Sequence, residues 1–162
     1  MIVSVLSHHE AVSFALDCAI HVIAAWNSAR PNDKRPKEAL DATRLWLLGE
    51  SSGDLLAAAG KSAADAAVEA DDPDQVPANL LLTEAINAAS SAAHAARAAE
   101  NTVRLLLGRE TTVGGINGCV AWAASFALSA VKDREAEKKW QLELLIDYLL
   151  NRATPLWGRE KG

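Results

Sequence analysis

Apolar residues recur at steps of three and four along most of the chain, the spacing that places them on one face of an α-helix. The clearest stretch follows Ser7, which fits a capping box with Glu10 three residues later. Pro31 disfavours a helical conformation just before it, so this stretch should end near Ser28. The pattern therefore predicts a first helix over residues 7–28.

Similar stretches, separated by proline, glycine and polar residues, predict the other helices. Pro36 can occupy the first turn of the second helix, where its missing N–H costs nothing, and Gly49 is a typical stop signal. We expect a third helix from Asp54 to about Ala70, a fourth from Pro77 to Leu107 with room for a kink near Asn101, a fifth through Cys119 to Ala130, and a last one ending near Arg152.

Glycines and charges mark the two connections that are hardest to assign. Gly114, Gly115 and Gly118 surround the start of the fifth helix, without the lysine of a phosphate-binding loop or the preceding strand of a dinucleotide site. They predict a flexible connection. Residues 132–134 are charged and form either a turn or part of one long helix.

The amino-acid composition indicates how these helices pack together. The chain has 33 alanines and 21 leucines, both strong helix formers, and few of the β-branched residues that strands favour. Alanine on facing surfaces lets helix axes approach closely. We therefore predict an all-α fold: a compact bundle of about five to seven antiparallel helices with alanine-rich packing, forming one domain over residues 1–162 with frayed ends at about 1–6 and 154–162.

Charge and cysteine usage narrow the function classes. The formal net charge of -5 argues against a nucleic-acid binder and permits a basic protein partner. Cys18 and Cys119 lie far apart among apolar residues, which indicates reduced, buried thiols and a cytoplasmic protein. No basic region precedes the apolar N-terminus and no uncharged apolar run reaches about 18 residues, so we expect neither a signal peptide nor a membrane helix.

Tryptophans are the most prominent large side chains. Four of the five, Trp26, Trp46, Trp122 and Trp140, fall on predicted apolar faces. Core packing is the simpler interpretation. The alternative is a surface that faces a partner, because tryptophan is enriched at protein interfaces.

Polar residues within the helices offer little for catalysis. Asp17 and His21 lie four apart on one helix face, as a hydrogen-bonded pair or two metal ligands would. His94 and Arg97 interrupt the alanine-rich fourth helix. Because no second ligand pair and no Gly-x-Ser-x-Gly nucleophile motif is present, we expect no metal, no cofactor and no catalytic residues. The alternative is a ligand cavity formed by these four residues.

Several short motifs occur in a fixed order along the chain. They are Ala15-Leu-Asp-Cys18-Ala19, Arg35-Pro36 with Trp46 and Gly49-Glu50, Ala-His94-Ala, and Glu137-x-x-Trp140-Gln141. Together they span residues 15–150 and resemble the motifs of immunity proteins from bacterial polymorphic-toxin systems, the class numbered five. Within residues 116–131 the chain departs from the His-Ala and Tyr-Ala pairs of that family, so the resemblance assigns no function to this segment.

The resemblance implies a small helical protein of the bacterial cytoplasm that binds and neutralises a cognate toxin domain without catalysis. Our first candidates for the partner-binding surface are Asp33, Arg35, Trp46 and Glu50 around the second helix, and Lys139 and Trp140 in the last helix. For Arg35 and Glu50 the alternative is that they fix a turn and a helix end. An acidic loop that includes Asp71 and Asp72 is either solvated or an electrostatic contact for a basic partner.

Two other function classes stay open at this point. An enzyme or ligand-binding protein would use a cavity near His94, and it should bring at least two of His21, His94, Arg97 and Glu100 together around one cleft. A structural module would form a homodimer through its tryptophans and should bury a continuous apolar patch against its twin.

Overall fold

Six α-helices make up most of the residues that the structure describes, and no strand occurs among those residues, which confirms the predicted all-α fold. The computed structural model describes residues 6–72, 80–109 and 111–158, without the side chains of 80–82. The helices are α1 (His8–Ala29), α2 (Arg35–Leu47), α3 (Gly53–Ala70), α4 (Leu80–Leu106), α5 (Val113–Ser129) and α6 (Arg134–Leu149), followed by a short 3₁₀ turn at Leu156–Gly158.

The start of α1 and the end of α2 form through the local signals expected of them. The backbone N–H of Ser7 donates to the Glu10 carboxylate (2.9 Å), and the Ser7 hydroxyl accepts from the Glu10 N–H (3.3 Å), so the capping box is confirmed. Gly49 has a φ of +77° and donates its N–H to the carbonyl of Trp46. A residue without Cβ adopts this left-handed conformation at little cost, which ends the helix there.

The start of α5 differs from the prediction. The Thr112 hydroxyl accepts a hydrogen bond from the N–H of Gly115 (3.0 Å) and caps a helix that begins at Val113. Gly114, Gly115 and Gly118 therefore lie inside α5, and the predicted flexible connection is wrong. The N-terminal cap and the packing of the helix outweigh the low helix propensity of three glycines.

The structure also decides two boundaries that the sequence left open, at residues 132–134 and near Asn101. The carboxylate of Asp133 accepts a hydrogen bond from the N–H of Ala136 (3.0 Å) and caps α6, so the helical stretch breaks before Arg134, which is already the first residue of that helix. Helix α4 runs through Asn101 as one helix. Its predicted start at Pro77 lies outside the described residues.

Helix α4 lies at the centre of the bundle, where α1, α3 and α5 pack on it and α2 closes one side. Every buried apolar residue described for this helix is an alanine: Ala85, Ala88, Ala89, Ala92, Ala93, Ala95, Ala96, Ala98 and Ala99. The surrounding helices supply the large core side chains, of which Leu16, Trp26, Leu56 and Ile116 are fully buried. Such a core depends on short distances between helices, because an alanine side chain extends only one carbon from the backbone.

Helix α3 approaches α4 closely at Gly60. A Cβ atom at this position would lie 3.2 Å from the Cβ of Ala96 and 3.5 Å from the carbonyl oxygen of Ala93. Ala39 of α2 and Ala63 of α3 join the same alanine cluster, and the stem of Arg97 lies beside Gly60, with Cγ 3.8 Å from the added Cβ. Glycine at this position therefore serves close packing rather than backbone conformation.

Helix α1 is long and apolar enough to span a membrane by length and composition. Most of that stretch is buried inside the bundle, as expected of a core helix.

The predicted frayed ends fall partly outside the described residues, which exclude 1–5 and 159–162. Within the described part, Leu6 is buried against the core, and Leu156 and Trp157 donate backbone hydrogen bonds to Asp17. The chain is thus attached to the bundle at Leu6, before α1, and at Leu156 and Trp157, after α6.

The Gly60 contact predicts a difference between two glycine substitutions. Gly60→Leu should lower the free energy of unfolding by about 1–3 kcal/mol, because the added atoms have no space between α3 and α4. Gly118→Ala is the matched control, since nothing lies within 4 Å of a Cβ there, and it should stabilise the helix by up to about 1 kcal/mol. Urea unfolding followed by circular dichroism measures both. Equal stability of the two variants would contradict the close contact.

Candidate functional site

A buried carboxylate joins α1 to the far end of the chain. Asp17 is fully buried and accepts hydrogen bonds from the hydroxyl of Tyr148 (2.9 Å) and from the backbone N–H groups of Leu156 (2.8 Å) and Trp157 (3.3 Å). These donors replace water that the carboxylate loses on burial. Burial and the charge of Asp17 raise the pKa of Tyr148, so its hydroxyl remains a donor. Asp17 therefore holds the C-terminal segment against α1.

A second polar cluster lies one turn further along α1. His21 Nδ1 is 2.8 Å from the carboxylate of Glu137, which is almost completely buried, and the imidazole stacks on Trp140 with ring centroids 3.9 Å apart. The Gln141 amide donates to Glu137 (2.9 Å) and to the carbonyl of Ala124 (3.1 Å). The Glu-x-x-Trp-Gln motif thus connects α6 to α1 and α5.

Arg35 makes the third polar connection, between the turn before α2 and the end of α3. One guanidinium nitrogen lies 2.7 Å from a carboxylate oxygen of Asp33 and 2.7 Å from one of Glu69. The buried indole of Trp26 donates to the backbone carbonyl of Asp33 (2.8 Å). Hydrogen bonds from Arg35 hold the pKa of Asp33 and of Glu69 below their usual values. These contacts agree with the interpretation that Arg35 fixes a turn, and a partner contact through Arg35 stays a prediction.

The other residues predicted to bind a partner are distributed over several elements. The Trp46 ring is half-buried on α2, 6.0 Å from that of His9. Glu50 is exposed after Gly49 and donates its N–H to the carbonyl of Leu45.

Three more lie beyond α2. Asp71 is exposed at the end of α3, and Asp72 beside it is half-buried. Lys139 is exposed on α6, 3.9 Å from Glu143. Partner binding through these residues stays a prediction.

The four residues of the predicted cavity divide between two surroundings. Asp17 and His21 bond to α6 and the C-terminal segment, whereas His94 and Arg97 lie beside α5. Among the described residues, no three His, Cys, Asp or Glu side chains cluster as metal ligands. Cys18 is buried, and Cys119 is only half-buried, contrary to the prediction of two buried thiols. Both are free thiols, and burial raises the pKa of each.

Helices α4 and α5 carry a partly exposed aromatic surface, which joins two residues of the predicted cavity, His94 and Arg97, to Trp122, for which a partner-facing position was the open alternative. We call it the α4–α5 patch: His94, Arg97, Gly118, Trp122 and Phe126. The Trp122 and Phe126 rings lie 5.6 Å apart, and the His94 ring lies 5.3 Å from Phe126 and 6.3 Å from Trp122. His94 Nδ1 is 2.9 Å from the carbonyl of Ser90, and burial lowers the pKa of the imidazole, so the ring is neutral near pH 7.

Trp122 corrects one of the core predictions, since 56% of its surface is exposed. Helix α5 packs through the stripe Ile116, Val120, Ala123 and Ala127, which leaves the neighbouring Trp122 on the outer side. The spacing of that stripe, in steps of three and four, was the feature of the sequence that could have indicated an outward-facing Trp122. Trp26 is fully buried as predicted, and Trp46 and Trp140 are half-buried.

The chain matches one family of known proteins over most of its length. A family model described as "Imm-5 like putative immunity protein" matches residues 1–148, from the N-terminus through nearly all of α6. No curated protein matches the chain, and no solved structure does. The family match agrees with the resemblance seen in the sequence.

The Asp17 cluster predicts a large effect of a single substitution. Asp17→Ala leaves the Tyr148 hydroxyl and two backbone N–H groups without this acceptor, and it should lower the free energy of unfolding by about 3 kcal/mol. Amide hydrogen exchange at Leu156 and Trp157 should also become faster. Asp41→Ala, at an exposed position of α2, is the control and should change stability by less than about 0.5 kcal/mol. Similar losses in both variants would contradict the role of Asp17.

The Arg35 cluster predicts a pH dependence. The Arg35–Asp33 contact, with side chains 29% and 18% exposed, should contribute about 1 kcal/mol after solvent screening. Because the pKa of Asp33 in the folded state is below its usual 3.8, this contribution is present above that pH and is lost as the pH falls further.

Urea unfolding of Arg35→Gln and the wild type at pH 7, 5 and 3 tests this expectation. The stability difference should be largest at pH 7 and 5 and smaller at pH 3. Lys61→Gln, which removes an exposed ion pair of α3, is the control and should have an effect of a few tenths of a kcal/mol. A difference that is equal at all three pH values would contradict an ionic contribution from Arg35.

Proposed function

The chain belongs to the Imm-5 like family of immunity proteins, and on that premise we propose that it binds a cognate toxin domain in the bacterial cytoplasm and neutralises it without catalysis. The observation that carries this proposal is the family match over residues 1–148, which includes five helices and most of the sixth. An immunity protein implies a toxin partner in general. The particular toxin is left to experiment.

The use of polar groups inside the bundle supports inhibition by binding. The buried carboxylates of Asp17 and Glu137 accept internal hydrogen bonds that hold helices together. An inhibitor that acts by binding needs a rigid surface that exists before the partner arrives. The α4–α5 patch meets that requirement, because its rings already contact one another on the outside of two packed helices.

Self-association is a second candidate, and one observation favours it. Helix α6 exposes aliphatic side chains at helical spacing, Leu142, Ile146 and Leu149, and Leu150 at its C-terminal cap is exposed as well. A continuous apolar stripe on one helix is typical of helix–helix interfaces. Light scattering coupled to gel filtration distinguishes a monomer from a dimer. Leu142→Asp with Ile146→Asp should abolish a dimer that uses this stripe.

The proposed function predicts protection in a bacterial host. Expression of the toxin domain encoded beside this gene should arrest growth, and co-expression of the wild-type chain should restore it. The two proteins should co-purify as a stable complex. A toxin domain from an unrelated system is the control and should remain toxic. Continued growth arrest, with both proteins present in the soluble fraction, would contradict the proposal.

The same complex tests whether neutralisation is non-catalytic. Toxin that is separated from the complex by denaturation and refolded should regain full activity and its original mass. An altered mass or lasting inactivity, which the toxin purified alone does not show, would indicate a chemical modification and overturn the non-catalytic mechanism.

A further inference from the structure

The α4–α5 patch combines the residue types that dominate binding energies at protein interfaces. Tryptophan and arginine are enriched among interface hot spots, and here Trp122 is 56% exposed and Arg97 is exposed on the neighbouring helix. The chain buries Trp26 completely, so it has the means to bury a tryptophan. An exposed tryptophan on α5 and an exposed arginine on the neighbouring α4 therefore need an explanation beyond folding.

The aromatic part of the patch is already ordered in the free protein. Trp122 and Phe126 lie one turn apart on α5, and their rings are 5.6 Å apart. The His94 ring supports them from α4, and its Nδ1 is fixed 2.9 Å from the carbonyl of Ser90. Because neighbours already hold these side chains, they lose less conformational entropy when a partner binds than side chains on a loop would lose.

Arg97 carries a positive charge without an ion-pair partner among the residues that the structure describes. Its aliphatic stem lies beside Gly60 of α3, with Cγ 3.8 Å from the place of an added Cβ. The next acidic residue along α4, Glu100, lies 3.7 Å from Arg104 instead. The guanidinium of Arg97 is thus free to receive a carboxylate, which it binds in a fixed planar geometry.

Gly118 leaves a notch next to Trp122. It lies one turn before Trp122 on the same face of α5, and nothing occupies the space within 4 Å of an added Cβ. Bare backbone beside a projecting indole accommodates an apolar side chain of a partner. The patch therefore offers an apolar seat on α5 and a cation on α4, and the charge of Arg97 offsets part of the rise in the pKa of Cys119, the residue after Gly118.

We propose that the α4–α5 patch is the surface that contacts the toxin domain, and that the toxin presents there a carboxylate next to an apolar side chain. The carboxylate binds Arg97, and the apolar side chain sits over Gly118 against Trp122. This inference rests on the proposed function, since it names the surface and the partner chemistry that neutralisation would use. The charge complementarity at Arg97 selects an acidic contact even though the whole chain is acidic.

Three variants test the patch: Trp122→Ala, Arg97→Glu and Gly118→Leu. Each should raise the Kd for the toxin domain by at least about 30-fold, which corresponds to about 2 kcal/mol, the usual threshold for a hot spot. The Gly118→Leu variant is the most informative, because leucine favours the helix over glycine and fills open space. Its thermal stability should not fall while its binding is lost.

Matched controls separate the patch from general effects of charge and apolar surface. Arg134→Glu reverses an exposed charge at the start of α6, and Leu55→Ala removes an exposed apolar side chain on α3. Both should bind the toxin domain within about threefold of the wild type and protect cells fully. Calorimetry of the purified pair measures the Kd, and thermal unfolding confirms that every variant is folded.

A charge exchange identifies the partner chemistry. Each exposed aspartate or glutamate of the toxin domain is changed to lysine in turn. One of these variants should bind the wild-type chain poorly and the Arg97→Glu variant well.

The outcomes distinguish this inference from the proposed function. If the wild-type chain neither binds nor protects, the proposed function fails, and the inference built on it is overturned as well. If the wild-type chain protects while all three folded patch variants bind as tightly as it does, only the inference is overturned. Loss of binding in Leu142→Asp alone would place the contact on α6 and also overturn the inference.

Discussion

The short distance between α4 and its neighbours is set by alanine, and most of the architecture depends on it. Each alanine buries little apolar surface, so the stability that helix packing supplies comes from many close contacts and a few large anchors such as Trp26 and Leu56. Where a methyl group would fit only tightly, Gly60 takes its place. A bundle of this kind has little tolerance for added volume along α4, because a shift of one helix changes the contacts of three others.

Hydrogen bonds and ion pairs fix the register of the helices, which alanine packing alone does not define. Small, similar surfaces allow helices to slide past one another, whereas directional bonds fix a register. Asp17, Glu137 and Arg35 each accept or donate several such bonds, and each joins elements that are distant in sequence. Most residues of the family motifs for which the structure gives contacts therefore hold the fold together. The surface that binds a partner can therefore lie elsewhere on the bundle, as we propose for the α4–α5 patch.

Local signals made much of the fold predictable, and the failures have physical causes. The capping box at Ser7 and the stop at Gly49 act within a few residues, so they can be recognised in the sequence. Helix α5 is apolar around most of its circumference, so Trp122 was placed on an apolar face, although the buried stripe of Ile116, Val120, Ala123 and Ala127 leaves it on the outer side. Thr112, two residues before Gly114, is the cap signal that the prediction of a flexible connection did not use.

The contacts of the candidate sites were beyond reach of the sequence for another reason. Tyr148 bonds to Asp17 across 131 positions, and no spacing rule relates residues so far apart. His94 and Trp122 likewise lie on different helices, so their proximity depends on the packing of α4 against α5. The motifs indicated which residues matter and left open what each of them touches.

The Asp17 cluster has a consequence for the order of events during synthesis. Three donors to this carboxylate, from Tyr148, Leu156 and Trp157, are made more than a hundred residues after Asp17 itself. Until the ribosome has produced them, water must supply the hydrogen bonds that these donors make later. The C-terminal segment therefore closes on α1 only after residue 157 is made, and a nascent chain halted before residue 148 should be a better substrate for chaperones than one in which these bonds have formed.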